Sequence, residues 1–213
     1  MKLKFELHSL MIAAFAALYF ITRLVNIKII PIFTDEAIYT YWSKVALNDP
    51  AHRFVSLEDG KQPLFKWITA IFQKFIEDPL IASRLVSILS GFGSVIGIYL
   101  LSKELFSEKV AKLSSFFYVI LPFTLLYDRL ALFDSLLTML GIFAAYLSIK
   151  MAKNPRLDFA LLNGFAIGFA MITKSSGNFF LYLLPFSLLL FKFRQKMILK
   201  NLSKWVGLSL ITF

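Results

Sequence analysis

The sequence predicts an all-α protein: a polytopic bundle of transmembrane helices with two more helices in its first outer loop. Three observations carry this. Of the 213 residues, 58% are hydrophobic and 17% charged, and the mean hydropathy is +0.72. A soluble domain of this length could not bury that much apolar surface. Apolar runs near the length of about 20 residues needed to cross roughly 30 Å of hydrocarbon recur along the chain. The charges also segregate by loop. Disorder does not fit this composition, and the absence of cysteine excludes a disulfide scaffold.

Six spans follow in order, at about Leu7–Ile32, Ile81–Leu101, Val110–Tyr127, Leu130–Ile149, Leu157–Thr173 and Asn178–Phe191. A seventh begins at Trp205 and breaks off at Phe213, so the chain reads as the N-terminal part of a longer protein. The first run is too long for a signal peptide, and no small-residue cleavage site follows it. Thirteen Lys and Arg against four acids fall at the N-terminus and in alternate loops; ten against nine fall on the opposite side. By the positive-inside rule the N-terminus and the basic loops are cytoplasmic, and the 33–80 loop faces outward from the plasma (inner) membrane. The net charge of +10 therefore needs no nucleic-acid partner.

Two amphipathic stretches lie in the outer loop. The first follows Thr34-Asp35-Glu36 and sets Ala37, Ile38, Tyr41, Trp42 and Val45 on one side, with Thr34 or Asp35 as its N-cap. The second opens at Pro63, suited to a first helical position, and repeats Leu64, Trp67, Ile68, Ile71, Phe72 and Phe75, with Lys66, Gln73 and Lys74 off the stripe. From Pro63 to Ile76 it gives about 21 Å of helix at 1.5 Å per residue, too short to span. It is expected to lie in the interface with its aromatics dipped in.

Between them, Asn48 to Gln62 is a polar connection that brings Asp35, Glu36 and Lys61 to the outer surface. A carboxylate there can accept a proton from a hydroxyl, and a lysine can neutralise a phosphate. The same residues equally suit plainer roles: Asp35 as a cap, Glu36 as a first-turn acid, Lys61 as a solvated charge. Arg84, Arg129, Asp134 and Lys174 stand at the outer ends of their spans. Ionisable groups at such depth are costly, so each is a functional candidate. The competing readings are an ion pair of Asp134 with Arg129 or Arg84, and snorkelling of Arg84 and Lys174. Arg23, deeper, is expected to pair with an acid or to snorkel, and Asp128 reads as a turn residue. Gly93 and Gly97, flanked by Ser90 and Ser94, form a helix-packing face. Pro122 and Pro185 predict kinks. The two histidines, His8 and His52, lie far apart, so the spacing supports no metal site, and no Gly-rich phosphate loop occurs. No cofactor is called for, and a divalent metal has no support in the sequence.

Four stretches occur in order: Thr34-Asp35-Glu36-Ala37-Ile38-Tyr39, Gly60-Lys61-Gln62-Pro63-Leu64-Phe65, Arg129-Leu130-Ala131-Leu132-Phe133-Asp134 and Thr173-Lys174. Together they resemble the signature of GT-C glycosyltransferases, in particular the protein-mannosyltransferase and aminoarabinose-transferase-like superfamily, over about residues 1–200. The resemblance implies a GT-C transmembrane bundle. It implies a hexosyl- or pentosyltransferase that takes a sugar from a polyprenyl-phosphate donor and gives it to a hydroxyl of a protein, lipid or glycan, with inversion. It implies Asp35 as the base with Glu36 beside it, Lys61 on the donor phosphate, and Asp134 lining the same cavity. It implies Arg129 and Lys174 as further phosphate contacts, and Arg84, from its place at the outer end of its span, completes the substrate-binding set. Departures are Gln62 in place of a proline, Ser175 in place of a glycine, and Gly60 where some relatives carry an acid, which argues against the metal site of those relatives. A transporter or flippase of lipid-linked intermediates is the competing class. It calls for charges near mid-membrane and broken helices in two matching halves, whereas the charges here cluster at one face.

Overall fold

The computed structural model describes residues 2–190 and 204–207. Nine α-helices are present among these residues, and no strand. They are α1 (Lys2–Leu24), α2 (Thr34–Asn48), α3 (Leu64–Gln73), α4 (Pro79–Leu105), α5 (Glu108–Ile120), α6 (Pro122–Tyr127), α7 (Asp134–Lys153), α8 (Leu157–Met171) and α9 (Asn178–Leu183). Two of them, α4 and α7, are long and apolar enough to cross a membrane; Ala13–Leu24 and α8 are apolar but shorter. The end of the sixth predicted span and most of the seventh lie outside the described residues.

Helix α4 packs between α5 and α7, and α7 packs between α4 and α8. The glycine face is one reason the first contact is close. A Cβ on Gly93 would stand 2.3 Å from Met139 Sδ, and one on Gly97 would stand 2.8 Å from Ile142 Cγ2. At one end of α4 and α7, Glu104 binds Lys150 at 3.3 Å and Lys153 at 2.9 Å. At the opposite end, Ser87 Oγ donates to the Leu132 carbonyl at 3.0 Å. The two long helices thus run in the same direction, and the expected outer residues share an end.

Several boundaries differ from expectation, each for a local reason. Helix α1 stops at Leu24, not near Ile32. Asn26 turns the chain at φ +50°, a conformation that asparagine tolerates better than most residues. The freed carbonyls find guanidinium donors. Arg129 binds Val25 and Asn26 at 3.0 and 2.7 Å, and Arg84 binds Ile27 and Ile30 at 2.5 and 2.9 Å. The third span is two helices. Leu121 is extended ahead of Pro122, which opens α6. Helix α7 begins at Asp134 rather than Leu130, because the preceding backbone is engaged elsewhere: Ala131 N–H with Glu36 at 2.6 Å, and the Leu132 carbonyl with Ser87. Past α9 the chain tightens into a 3-10 segment, Leu184–Leu190, that contains Pro185.

The outer-loop helices also need correction. Neither Thr34 nor Asp35 caps α2. Phe33 holds that position, and its N–H donates to the Glu36 carboxylate three residues on, at 3.1 Å. Helix α3 spans ten residues rather than fourteen, with Pro63 just ahead of it. Its orientation is informative. The side chains buried in the protein are Phe65, Lys66, Thr69 and Ala70, while Ile71 and Phe75, on the apolar stripe, are exposed. Of the polar residues off the stripe, Lys66 is buried and Gln73 Nε2 reaches the Thr40 carbonyl at 3.1 Å, while Lys74 is exposed.

Candidate active site

The Glu36 carboxylate is the structural centre of the end at which α2, α4 and the turn before α7 meet. It has no exposed surface and accepts from Arg84 Nε and Nη2, both at 2.9 Å, as well as from the N–H groups of Phe33 and Ala131. Arg84 is equally buried. Two buried charges persist only with such full hydrogen bonding. These two residues are therefore turned into the protein and occupied with each other, not presented to a ligand. Arg129, half-buried, is occupied at the end of α1. Glu36 and Arg84 thereby fix α2 against α4 and against the turn before α7.

On that frame a second group of residues converges. Tyr39, one turn after Glu36, is buried, and its ring lies 5.2 Å from Phe133 and 6.0 Å from Trp42. Burial first, and then the charges of Asp35, Asp134 and Asp59, push the Tyr39 hydroxyl well above the ordinary tyrosine range. Those carboxylates come from α2, from the first residue of α7 and from the connecting loop. Asp134 pairs with Lys174 at 3.0 Å, and the lysine ammonium stands 4.7 Å from the centre of the Phe133 ring. The Leu64 N–H donates to the Ile172 carbonyl at 3.0 Å, so the Lys61–Pro63 segment abuts Thr173–Lys174. Gly60, at φ +67°, makes the turn into Lys61; glycine reaches this region without steric cost.

The candidates thus sort by commitment. Glu36, Arg84 and Arg129 are framework. Asp134 and Lys174 are partly exposed and paired. Asp35 and Lys61, both half-buried, make no hydrogen bond or ion pair through their side chains among the described residues, and they are the charges free to meet a ligand. No group of three His, Asp or Glu side chains able to hold a metal occurs among the described residues.

Two features were not foreseen. Lys66 is 2% exposed; its ammonium donates to the Gln62 carbonyl at 2.8 Å and lies 4.6, 5.4 and 5.7 Å from the ring centres of Tyr39, Phe133 and Trp42. Burial, aided by the charge of Lys61 and opposed by Asp59, lowers its pKa to about 8. The signal was present: the α3 stripe, read with lipid outside, turns Lys66 inward. Asp128 is not a simple turn residue either. It is buried and accepts from Ser135 Oγ at 2.9 Å, from Tyr19 at 3.1 Å and from Tyr118 at 3.3 Å. Arg23 pairs with it at 3.5 Å, so this deep arginine does meet an acid.

A comparison with curated proteins gives no match. The model of the family described as dolichyl-phosphate-mannose-protein mannosyltransferase matches residues 60–213, a stretch that takes in Lys61, Arg84, Arg129, Asp134 and Lys174 and starts after Asp35 and Glu36. With most of its length so matched, the chain belongs to the dolichyl-phosphate-mannose-protein mannosyltransferase family, a group of membrane-associated glycosyltransferases.

Proposed function

We propose that the protein transfers a sugar from a polyprenyl-phosphate donor to a hydroxyl acceptor at the outer face of the membrane, with Asp35 as general base. The observation that carries this reading is the contrast within the acidic pair. Glu36 is fully consumed by Arg84 and two backbone N–H groups, while Asp35 beside it stays uncommitted and, like Asp134, within electrostatic reach of Tyr39.

In the step proposed, Asp35 takes the proton from the acceptor hydroxyl as its oxygen attacks the anomeric carbon. The bond from that carbon to the phosphate oxygen breaks, and its electron pair leaves with the polyprenyl phosphate. Lys61 meets the phosphate directly. Lys174 exchanges part of its contact with Asp134 for the same group, and ammonium charge stabilises the anion that develops. Direct displacement from the opposite face inverts the sugar. Glu36, Arg84 and Arg129 act as positioning residues. A lipid transporter fits less well, because the charges of α4 and α7 lie toward the two ends of these helices and the middle carries none.

The test uses the full-length chain in nanodiscs and measures release of free polyprenyl phosphate from a panel of polyprenyl-phosphate sugars. Release by the wild type and not by Asp35→Asn supports the assignment. Equal release by both removes Asp35 as the base, and no release with any donor favours transport over transfer.

A further inference from the structure

A cleft of about 640 Å³ opens between α2 and the loop that precedes Lys61, and the mechanism above does not use it. Its walls are Ala37, Ile38, Tyr41 and Trp42 on the helix, and Val55, Glu58 and Asp59 on the loop. We propose that this cleft is a pyranose-binding subsite, with Trp42 and Tyr41 as the apolar platform and the Glu58 and Asp59 carboxylates as acceptors for sugar hydroxyls. The inference rests on the glycosyl-transfer reading and adds the place where a sugar ring sits.

Four observations support it. The volume lies within the roughly 300–1,000 Å³ usual for small-ligand sites. The chemistry of the walls is two-sided, as a sugar requires: aromatic surface for the C–H face of the ring, and carboxylate oxygens, which only accept, for its O–H groups. Neither Glu58 nor Asp59 makes an ion pair or a side-chain hydrogen bond among the described residues, so their lone pairs are free. Finally, the cleft adjoins the base. Asp35, Ile38, Tyr41 and Trp42 fall at i, i+3, i+6 and i+7, one face of α2. Asp59 is also within electrostatic reach of both Tyr39 and Lys66, the residues beneath the Asp35–Lys174 cluster. A ring seated on Trp42 therefore lies against the same helix that carries Asp35.

The sugar can come from the donor or from a glycan acceptor, and kinetics separate the two. In the full-length chain, Glu58→Gln with Asp59→Asn alters an exposed loop and spares the core; Trp42→Ala removes the platform. Losing charged acceptors raises KM by about tenfold or more if each hydrogen bond is worth 1.5–3 kcal/mol. A rise in donor KM assigns the cleft to the transferred sugar, and a rise in acceptor KM assigns it to a glycan acceptor. An unchanged KM for both, with transfer intact, overturns the inference. A second readout needs no turnover. In a Trp67→Phe, Trp205→Phe background, methyl α-mannopyranoside, methyl α-glucopyranoside and methyl α-galactopyranoside are titrated against Trp42 fluorescence. A saturable change with at least one of them, weakened by Asp59→Asn, supports the subsite even if no donor is turned over. Where no donor is turned over, no change with any of the three overturns it.

Discussion

The Lys66 ammonium lies 4.6 Å above the Tyr39 ring, with the Gln62 carbonyl at 2.8 Å as its one oxygen partner. A cation so placed is held by ring faces and a single dipole, with no carboxylate bound to it. The folded protein therefore disfavours the charged form, and the pKa falls to about 8 from an ordinary 10.5.

Stability is expected to follow that shift. Between about pH 8 and 10.5 the unfolded chain keeps a proton that the folded chain has released, so stability rises with pH across this window and is flat below it. The cost of charging Lys66 at neutral pH is on the order of 3 kcal/mol. Lys66→Met is expected to abolish the rise and to stabilise the protein at pH 7. Thermal unfolding in detergent at pH 7 and pH 10, wild type against variant, checks it. A variant that loses stability at pH 7 would show the cation to be a net asset.

Glu36 and Asp35 are expected to fail in different ways. Glu36→Gln leaves Arg84 as an uncompensated buried charge, a loss of about 3–5 kcal/mol. Adding Arg84→Met to it restores a large part of that loss. Asp35→Asn, in a half-buried residue without a partner, changes stability by roughly 0.5 kcal/mol or less and removes turnover. Unfolding midpoints beside polyprenyl phosphate release give both readings on the same samples.

The Lys174–Asp134 pair is partly open to solvent, with side-chain exposures of 40% and 34%. Its contribution to stability is expected to stay under about 1 kcal/mol. Lys174→Met is therefore predicted to fold normally and to raise donor KM. If donor KM holds steady while the melting point drops sharply, Lys174 is a strut and not a phosphate contact.

A steric contrast tests the turn that carries Lys174. A Cβ on Gly177 would stand 2.3 Å from the backbone of Ala170, which cannot rotate away, while one on Gly168 meets nothing within 4 Å. Gly177→Ala is expected to destabilise by about 1–3 kcal/mol and to lower activity through displacement of Lys174. Gly168→Ala, in the α8 interior, is expected to be neutral or slightly stabilising. Paired melting curves decide, and equal effects would refute the geometry around Ala170.

The helical periodicity of the sequence foretold α2, α3, α4, α7 and α8, because apolar period and length survive burial in either solvent. The pairing of Asp134 with Lys174 was not read from the sequence, although both were candidates placed at the same end of their spans. The separate roles of the candidates were not legible either. Nothing local to Glu36 announces that Arg84 and the Ala131 N–H will claim its carboxylate; those contacts span 48 and 95 residues. Lys66 and Asp128 were passed over for the related reason that burial of a charge depends on partners distant in sequence. Asp128 gathers Tyr19, Arg23, Tyr118 and Ser135, which no window along the chain displays together.

The 95-residue reach from Glu36 to Ala131 also imposes a timetable on biosynthesis. When the ribosome has delivered α2, its acidic pair has neither the arginine of α4 nor the amide before α7. Arg84 emerges first and neutralises Glu36; the amide arrives only after α5 and α6 have been made. Until Arg84 is in place the two acids are chemically alike, and the distinction between a consumed Glu36 and an available Asp35 does not exist. A nascent chain halted before Ala131 thus holds Glu36 against Arg84 but lacks the amide that completes its hydrogen bonding.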